Sequence, residues 1–256
     1  MILCERDYKL ILRSQAELTP TSAIAPVRGA HSISFRVEGN ESMKLLIFGA
    51  SGRTGLELVK LAIAKGHEVR AFVRDPKKIH IIHPNLEVFQ GDVEDFRTVE
   101  KALEGQEAVL SALGSPNLKP NTIISDGTKF IIEAMQRHHV RRFVCESSLG
   151  VGDSKHQIGG SVGGLVFRYL FMGLYLRHVF ADKEIQENHI RQSGLDWVIV
   201  RPGGLTDTQG TGSFKVVMPD VKKLESTQIS RADVAEFMLK QVENDEWLMK
   251  TPGLVS

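Results

Sequence analysis

The stretch Met43-Lys-Leu-Leu-Ile-Phe-Gly-Ala-Ser-Gly-Arg-Thr-Gly55 runs an apolar strand directly into three glycines spaced three residues apart. Gly49 allows a sharp turn after the strand, Gly52 allows backbone N–H groups to approach a pyrophosphate, and Gly55 allows the next helix to pack closely on the sheet. The phosphates would then lie at the helix N-terminus, where free N–H groups and the helix dipole favour negative charge. The residues of this turn that we predict to bind a dinucleotide are Gly49, Ser51, Gly52, Arg53, Thr54 and Gly55.

The segments on both sides of the glycines fit this interpretation. Residues 45–48 form the short continuous apolar run that is typical of a central parallel strand. The next helix carries its apolar residues on one face and ends at Lys65-Gly66, and a second strand is predicted over 68–73. A set of tight glycine turns without a ligand is the alternative, but the order of strand, glycines, helix and strand favours a dinucleotide.

Strand and helix patterns continue to alternate along the rest of the chain. Further strands are predicted at 86–89, 108–113, 142–145 and 197–200, the last interrupted at Arg201-Pro202-Gly203-Gly204. Such alternation indicates a parallel sheet with helices on both faces, and right-handed crossovers make the topology doubly wound. Since 256 residues bury a large core without disulfides, we expect a single α/β domain.

Composition excludes several classes of function. A net charge of +1 gives no electrostatic basis for binding nucleic acid or an anionic membrane surface. The two cysteines lie in different contexts, and Cys145 falls within an apolar strand, which favours a buried, reduced thiol and a reducing, cytoplasmic compartment. His80 and His83 have no cysteine or carboxylate cluster around them, so no metal site is predicted.

Residues 1–42 differ from the rest because they mix proline, glycine, serine and threonine without a sustained period. We expect a poorly ordered N-terminal extension, with Met43 as the real or ancestral start of the chain. Acidic residues at Glu5, Asp7 and Glu17 argue against an ordinary transit peptide. The alternative is an organelle-targeting or partner-binding arm, because residues 18–37 lack acids.

A glycine-rich apolar segment covers about residues 150–174. Its most apolar part, 159–175, is short and carries Arg168 near its middle, so a membrane span is not expected. The segment follows the fifth strand, where ligands bind in open α/β sheets, and we interpret it as a mobile lid with an apolar wall. A loop and helix that only cover the core or contact a second copy are the alternative.

The end of the second strand indicates which dinucleotide is bound. NAD enzymes place a carboxylate there for the ribose 2′-hydroxyl, whereas NADP enzymes supply a cation. This strand ends at Arg74, and Arg53 in the glycine turn offers a second guanidinium, so NADP(H) is favoured and NAD(H) stays possible. Asp75 precedes Pro76 and is better explained as a helix N-cap than as a ribose ligand.

The chain resembles the atypical short-chain dehydrogenase/reductases, specifically the NAD(P)H-binding group of NmrA-like proteins and biliverdin-IXβ (flavin) reductases. The resemblance covers about residues 43–245. It rests on six motifs: GASGRTG from 49, FVRDP from 72, GDVED from 91, ALG from 112, ESSLG from 146 and VRPGGLTD from 200.

This resemblance implies a Rossmann fold and several further site residues. By analogy with the family, Asp92 binds adenine, and its neighbour Val93 belongs to the same cofactor site. Leu113 and Gly114 would lie along the cofactor, and Ser148 would face the nicotinamide as a catalytic residue. The loop that contains Pro202 and Gly203 is similar to the one that closes on the nicotinamide side.

The departure from the family pattern concerns the proton donor. Typical superfamily members have Tyr-x-x-x-Lys, in which the tyrosine exchanges a proton with a carbonyl oxygen. None of the three tyrosines here stands four residues before a lysine. Lys183 matches the motif lysine and is a predicted catalytic residue, but Val179 occupies the tyrosine position. A positioned acid typically contributes about 10² to 10⁴ in rate, so reduction of simple ketones is disfavoured.

Two functions from different classes follow from this pattern. The first is an NADPH-dependent oxidoreductase that passes hydride to a flavin-like, quinone-like or other conjugated small molecule, which spreads the charge without a strong acid. The second is a non-catalytic NADP(H)-binding redox sensor or assembly factor of the NmrA-like type. The sequence leaves monomer and homodimer equally open.

Overall fold

The computed structural model describes residues 42–115, 117, 119–157, 176–219, 224, 226 and 228–256. The predicted extension, up to residue 41, and most of the predicted lid, from residue 158 to 174, lie outside these described residues. The three tyrosines do as well.

A twisted sheet forms the centre of the described chain. Its strands, with two short ones beside them, are β1 (Lys44–Phe48), β2 (Glu68–Val73), β3 (Leu86–Gln90), β4 (Ala108–Ser111), β5 (Arg142–Glu146), β6 (Asp196–Pro202), β7 (Gly204–Thr206), β8 (Lys215–Val217), β9 (Gln228–Ser230) and β10 (Gly253–Val255). The order in the main sheet is β3-β2-β1-β4-β5-β6-β10-β8, and all neighbours are parallel except β10 and β8. Strands β7 and β9 pair with each other.

Helices cover both faces of this sheet. They are α1 (Arg53–Ala64), α2 (Phe96–Ala102), α3 (Ile123–Arg137), α4 (Arg177–Arg191) and α5 (Arg231–Lys240), with 3₁₀ turns at Pro76–Lys78 and Gly152–Gln157. Strand β1 shows how the two layers arise, because alternate side chains point to opposite faces. Leu45 and Ile47 pack with α1 and α5, whereas Leu46 and Phe48 pack with α2, α3 and α4.

The doubly wound parallel sheet confirms the fold predicted from the sequence, and local signals also hold. Asp75 caps the first 3₁₀ turn by accepting from Lys77 N at 3.1 Å, and Ser230 caps α5 by accepting from Asp233 N at 3.0 Å. Cys145 is buried and free, and burial raises the pKa of its thiol to about 12. Among the described helices none is long and apolar enough to cross a membrane.

The structure corrects the predicted end of the sixth strand. Strand β6 continues through Arg201 and Pro202, where the sequence predicted an interruption. Arg201 N donates to Pro252 O at 2.9 Å, and Leu149 N donates to Pro202 O at 2.8 Å. The missing N–H of the proline is tolerated because Pro202 lies at the end of the strand, beyond the last residue of β5.

Candidate functional site

A cleft of about 540 Å³ opens at the carboxyl ends of β1, β2, β4, β5 and β6. Chain order reverses between β1 and β4, and ligands of open α/β sheets bind at such a switch point. The cleft brings together most of the residues that the sequence singled out. Those that line it are Gly49, Ser51, Gly52, Arg53, Thr54, Arg74, Val93, Leu113, Gly114, Ser148, Lys183, Pro202 and Gly203.

The glycine turn has the geometry that its spacing predicted. Gly49 has a positive φ of 71°, and a Cβ there would lie 2.4 Å from Ala112 O. A Cβ on Gly55 would lie 2.1 Å from Gly49 O, so this glycine packs α1 on β1 and does not line the cleft. A Cβ on Gly52 would meet only Gly49 O, at 3.1 Å. Gly52 therefore leaves the cleft side of the turn open to a ligand.

The N-terminus of α1 provides the donors for an anion. Its first turn contains no acidic residue, and its N-cap Gly52 has no side chain to bond the exposed N–H groups. Free N–H groups at a helix N-terminus carry partial positive charge and bind phosphate. These residues fit a dinucleotide pyrophosphate.

Cations surround the cleft where β2 ends. Arg74 lines it, and so does Lys78, at the end of the following 3₁₀ turn. Lys78 was missed in the sequence, although the basic pair after Pro76 was a visible signal. Asp75 follows Arg74 in the chain, and its carboxylate is already bonded because it caps the 3₁₀ turn. The local charge favours a phosphate over a bare ribose hydroxyl.

Arg53 is engaged in a way that the sequence did not reveal. Its Nη1 lies 2.7 Å from Asp207 Oδ2, and Asp207 Oδ1 lies 2.6 Å from Arg231 Nη1. Arg231 also lines the cleft, as the first residue of α5, yet it was not among the predicted residues. One carboxylate thus links the first turns of α1 and α5 across the cleft.

Asp92 does not line the cleft, whereas the adjacent Val93 does. The Asp92 carboxylate accepts from Glu94 N at 3.1 Å, and its backbone oxygen accepts from Thr98 Oγ1 at 3.1 Å. Asp92 therefore shapes the turn before α2, and Val93 presents the surface beside Leu113.

Ser148 lies at the opposite end of the cleft, just beyond β5. It is half-buried, and its hydroxyl donates to Leu149 O at 3.2 Å. The flanking backbone stays paired with β6, since Ser147 N donates to Val200 O at 2.7 Å and Leu149 N donates to Pro202 O at 2.8 Å. Regular pairing on both sides fixes the position of Ser148 facing Pro202.

Buried charges hold this end of the cleft in place. Arg201, expected in a loop, is fully buried and bonds Glu187 twice, at 2.9 Å through Nε and 2.6 Å through Nη2. Its Nη1 also bonds Asp153 in the second 3₁₀ turn, which begins the predicted lid. Glu187 accepts from Ser147 Oγ at 2.6 Å and from Arg191 Nη2 at 2.9 Å. Charged pairs thus connect α4, β6 and the segment after β5.

Lys183 and Glu146 form the floor of the cleft. Lys183 is buried, and its Nζ donates to Glu146 O at 3.2 Å. The Glu146 carboxylate, also buried, accepts from Thr54 Oγ1 at 3.3 Å. Burial raises the pKa of Glu146, while Lys183, Thr54 and Arg231 act in the opposite direction. Glu146 was missed in the sequence, although a charge at the end of an apolar strand was a usable signal.

Helix α4 carries Lys183 in a fixed position because its neighbour caps another helix. Asp182 accepts from Ile124 N at 3.0 Å and Ser125 N at 3.2 Å, so it satisfies the first turn of α3, whose own N-cap makes no side-chain bond. Lys183, the next residue, lies about 100° further round the helix and lines the cleft. Within the described ranges, no group of three or more His, Cys, Asp and Glu side chains is arranged to hold a metal.

Comparison with known proteins shows the family of this chain. A family model described as NAD(P)H-binding matches residues 49–245. The chain belongs to this NAD(P)H-binding family. Its likeness to the atypical short-chain dehydrogenase/reductases is confirmed, and its cofactor is of the NAD(P)H class.

Individual relatives cover most of the chain. A chloroplastic protein of Arabidopsis thaliana, At2g34460, is 30% identical over 84% of this chain and 78% of its own length. The sanguinarine reductase of Eschscholzia californica is 27% identical over 82% of this chain and 87% of its own. Among solved structures, the ChuY anaerobillin reductase of Escherichia coli O157:H7 has a TM-score of 0.68 at 24% identity, covering 83% of this chain and 96% of that one. This last likeness shows a shared fold.

Proposed function

We propose that this member of an NAD(P)H-binding oxidoreductase family is an NADPH-dependent reductase of flavin-like, quinone-like or other conjugated acceptors. The observation that carries the proposal is that Lys183 lies on the cleft floor while Val179, one helical turn earlier, occupies the position of the usual tyrosine. Among the described residues, the site keeps the dinucleotide architecture and has no phenol at the position that usually serves a carbonyl oxygen. The name of the sanguinarine reductase supports reductase activity in this family.

Each wall of the cleft has a separate task in this proposal. The glycine turn and the N-terminus of α1 hold the pyrophosphate, and Arg74 with Lys78 holds the 2′-phosphate. Val93, Leu113 and Gly114 lie along the cofactor. Bound NADPH supplies the hydride, and the protein orients the acceptor and excludes water.

At the reactive end, Ser148 and Lys183 are the residues that we expect to contact the nicotinamide side or the acceptor. Ser148 would align the nicotinamide or the acceptor by hydrogen bonding. Its hydroxyl donates to Leu149 O, so the lone pairs of its oxygen are free to accept from another donor. Pro202 and Gly203 complete this end. The predicted lid would cover it.

The acceptor class is tested by following NADPH oxidation with FMN, a quinone, a simple ketone and a simple aldehyde. We expect turnover with the first two and little with the others. Ser148→Ala should lower turnover with little change in NADPH affinity. Thr208→Ala, at an exposed residue outside the cleft, serves as the matched control. Equal turnover of all four acceptors would contradict the proposal.

Cofactor preference has its own test in Arg74→Glu. The exchange replaces a phosphate partner by a repelling charge and should weaken NADPH about ten- to a hundred-fold, for a contact of about 1.5 to 3 kcal/mol. NADH affinity should hardly change. Equal weakening of both cofactors would remove the case for NADP(H).

A second function is favoured by the same Val179. A non-catalytic sensor needs the dinucleotide site and no proton donor. It would bind NADPH tightly, and none of the acceptors in the panel would oxidise the bound NADPH. Its affinity for a partner protein would change with the redox state of the cofactor. That combination of results would replace the reductase proposal.

The compartment can be settled with fluorescent fusions. We propose the cytoplasm from composition, with an organelle as the alternative, which the chloroplastic Arabidopsis relative supports. Fusions with and without residues 1–42 distinguish the two, because only a targeting arm would change the location on deletion.

A further inference from the structure

Glu146 is a buried carboxyl group that the proposed chemistry leaves without a task. It ends β5, and its side chain lies on the same face as Val144, towards α1 and α5. It lines the cleft, and it is the one acidic side chain among the described lining residues. A carboxylate on the floor of an anion-binding cleft calls for a physical explanation.

The groups around this carboxyl do not compensate its charge fully. From α1, Thr54 donates the hydroxyl bond at 3.3 Å. From α4, Lys183 bonds the backbone oxygen of Glu146 at 3.2 Å, and from α5, Arg231 is taken by Asp207 at 2.6 Å. Within the described part of the chain, no cation forms an ion pair with the carboxylate.

The buried charged side chains of Glu187 and Arg201, on the other face of β5, bond one another and not Glu146. There Glu187 accepts from Ser147 and from Arg201, at 2.6 Å in each case. Burial, the largest influence, raises the pKa of the Glu146 carboxyl, and Lys183, Thr54 and Arg231 only reduce that rise. Glu146 is therefore ready to hold a proton if more negative charge arrives.

A dinucleotide brings that charge to the same place. Thr54, which bonds Glu146, lies in the first turn of α1, where the pyrophosphate is expected. A like charge nearby disfavours ionisation of a carboxyl, and the effect is strong where water is excluded. By linkage, a group that gains a proton on binding makes the affinity depend on pH.

We propose that Glu146 belongs to the cofactor site and binds one proton together with the dinucleotide, so that its carboxyl is neutral in the complex. The neutral group keeps its bond with Thr54 and gains a donor that can face the ligand. The proposal depends on the cofactor lying in this cleft and not on any acceptor. It adds a residue that the glycine turn alone does not indicate.

Calorimetry with NADH tests this directly. NADH lacks the 2′-phosphate, which itself titrates near pH 6, so any proton taken up from the buffer is bound by a group of the protein. Titrations in two buffers of different ionisation enthalpy count the protons. We expect uptake of up to about one proton per NADH. Through the pH window of that uptake, the association constant should fall by up to about tenfold for each unit that the pH rises.

Two variants test whether Glu146 is the group that binds the proton. Glu146→Gln is neutral at every pH and should bind NADH without uptake, with a flat profile at the affinity that the native protein reaches at low pH. Glu94→Gln removes an exposed carboxylate outside the cleft and should keep the native profile. An unchanged pH profile in Glu146→Gln would overturn the proposal.

Lys183→Met provides a further measurement if Glu146→Gln fails to fold. Lys183 lowers the pKa of Glu146, so its removal should shift the window of proton uptake to higher pH. A window that stays in place would contradict the assignment. Failure of NADH and NADPH to bind at all would instead refute the proposed cofactor site, so the two proposals fail in distinguishable ways.

Discussion

The two walls of the cleft hold their shape by different means. The glycine wall, formed by Gly49, Gly52 and Gly55 with the first turn of α1, depends on backbone approaching backbone without side chains between. The buried-charge wall, formed by Glu187 and Arg201 with their partners, stands behind the lining residues Ser147 and Pro202 and does not line the cleft itself. It depends on ions removed from water. The first is mostly local, with one distant approach of Gly49 to Ala112, whereas the second joins segments far apart in the chain. Mutations should therefore damage the two walls differently.

The largest effect is expected from Arg201→Met. It leaves Glu187 buried with Arg191 and Ser147 only, and breaking a buried ion pair from one side typically costs about 3 to 5 kcal/mol. Urea unfolding would measure the loss. Arg141→Met is the matched control, since Arg141 pairs with Asp196 at 2.9 Å on the surface and should cost at most about 1 kcal/mol.

The double variant sharpens this comparison. Adding Glu187→Gln to Arg201→Met removes a buried charge that has lost its main partner and should recover part of the stability. If Arg201→Met cost no more than Arg141→Met, the buried charges would not hold this wall, and apolar packing would have to explain it.

An intermediate effect is expected from Gly55→Ala in the glycine wall. Alanine is the better helix former, yet its Cβ would lie 2.1 Å from Gly49 O, so backbone must move at a cost of about 1 to 3 kcal/mol. The same shift should weaken both NADPH and NADH. Gly114→Ala is the control for stability alone, because its Cβ would meet nothing within 4 Å but Gly114 itself lines the cofactor cleft. A stabilised Gly55→Ala would show that the turn adapts freely.

The two walls also differ in how much the sequence revealed. The glycine spacing and the Asp75 cap are local patterns, and the phosphate side of the site was predicted from them. The pairing of Ser147 with Glu187 spans 40 residues, and no local pattern announces it. Arg201 was expected in a loop because Pro-Gly-Gly after it is typical of one. Only the folded chain shows that its guanidinium turns inward.

Glu146 and Arg231 were missed for a related reason. Each stands at the end of an element, next to residues that have ordinary local explanations, a strand end and a helix cap. Their place in the cleft depends on the order of strands in the sheet, which brings β5 and α5 to the first turn of α1. Sequence reasoning identified the elements and could not supply these distances between them.

The smallest effect is expected at Asp207, beside the glycine wall. Its carboxylate holds Arg53 of the glycine wall and Arg231 at the start of α5, and it is largely exposed. Asp207→Asn removes a negative charge from the mouth of a phosphate site and releases two guanidinium groups. An exposed pair contributes about 0.2 to 1 kcal/mol, so NADPH should bind up to about fivefold more tightly, with the gain shrinking at high salt.

Asp245→Asn is the control for this change, because Asp245 is also largely exposed and pairs with Arg142 at the opposite end of β5. Fluorescence titration of NADPH with each variant at low and high salt would measure the difference. Weaker binding in Asp207→Asn would mean that the carboxylate positions the two arginines for the phosphates. In that case the glycine wall depends on a charged contact as well as on close backbone approach, and the contrast with the buried-charge wall weakens at this residue. Tighter binding would show that Asp207 competes with the cofactor for the same cations.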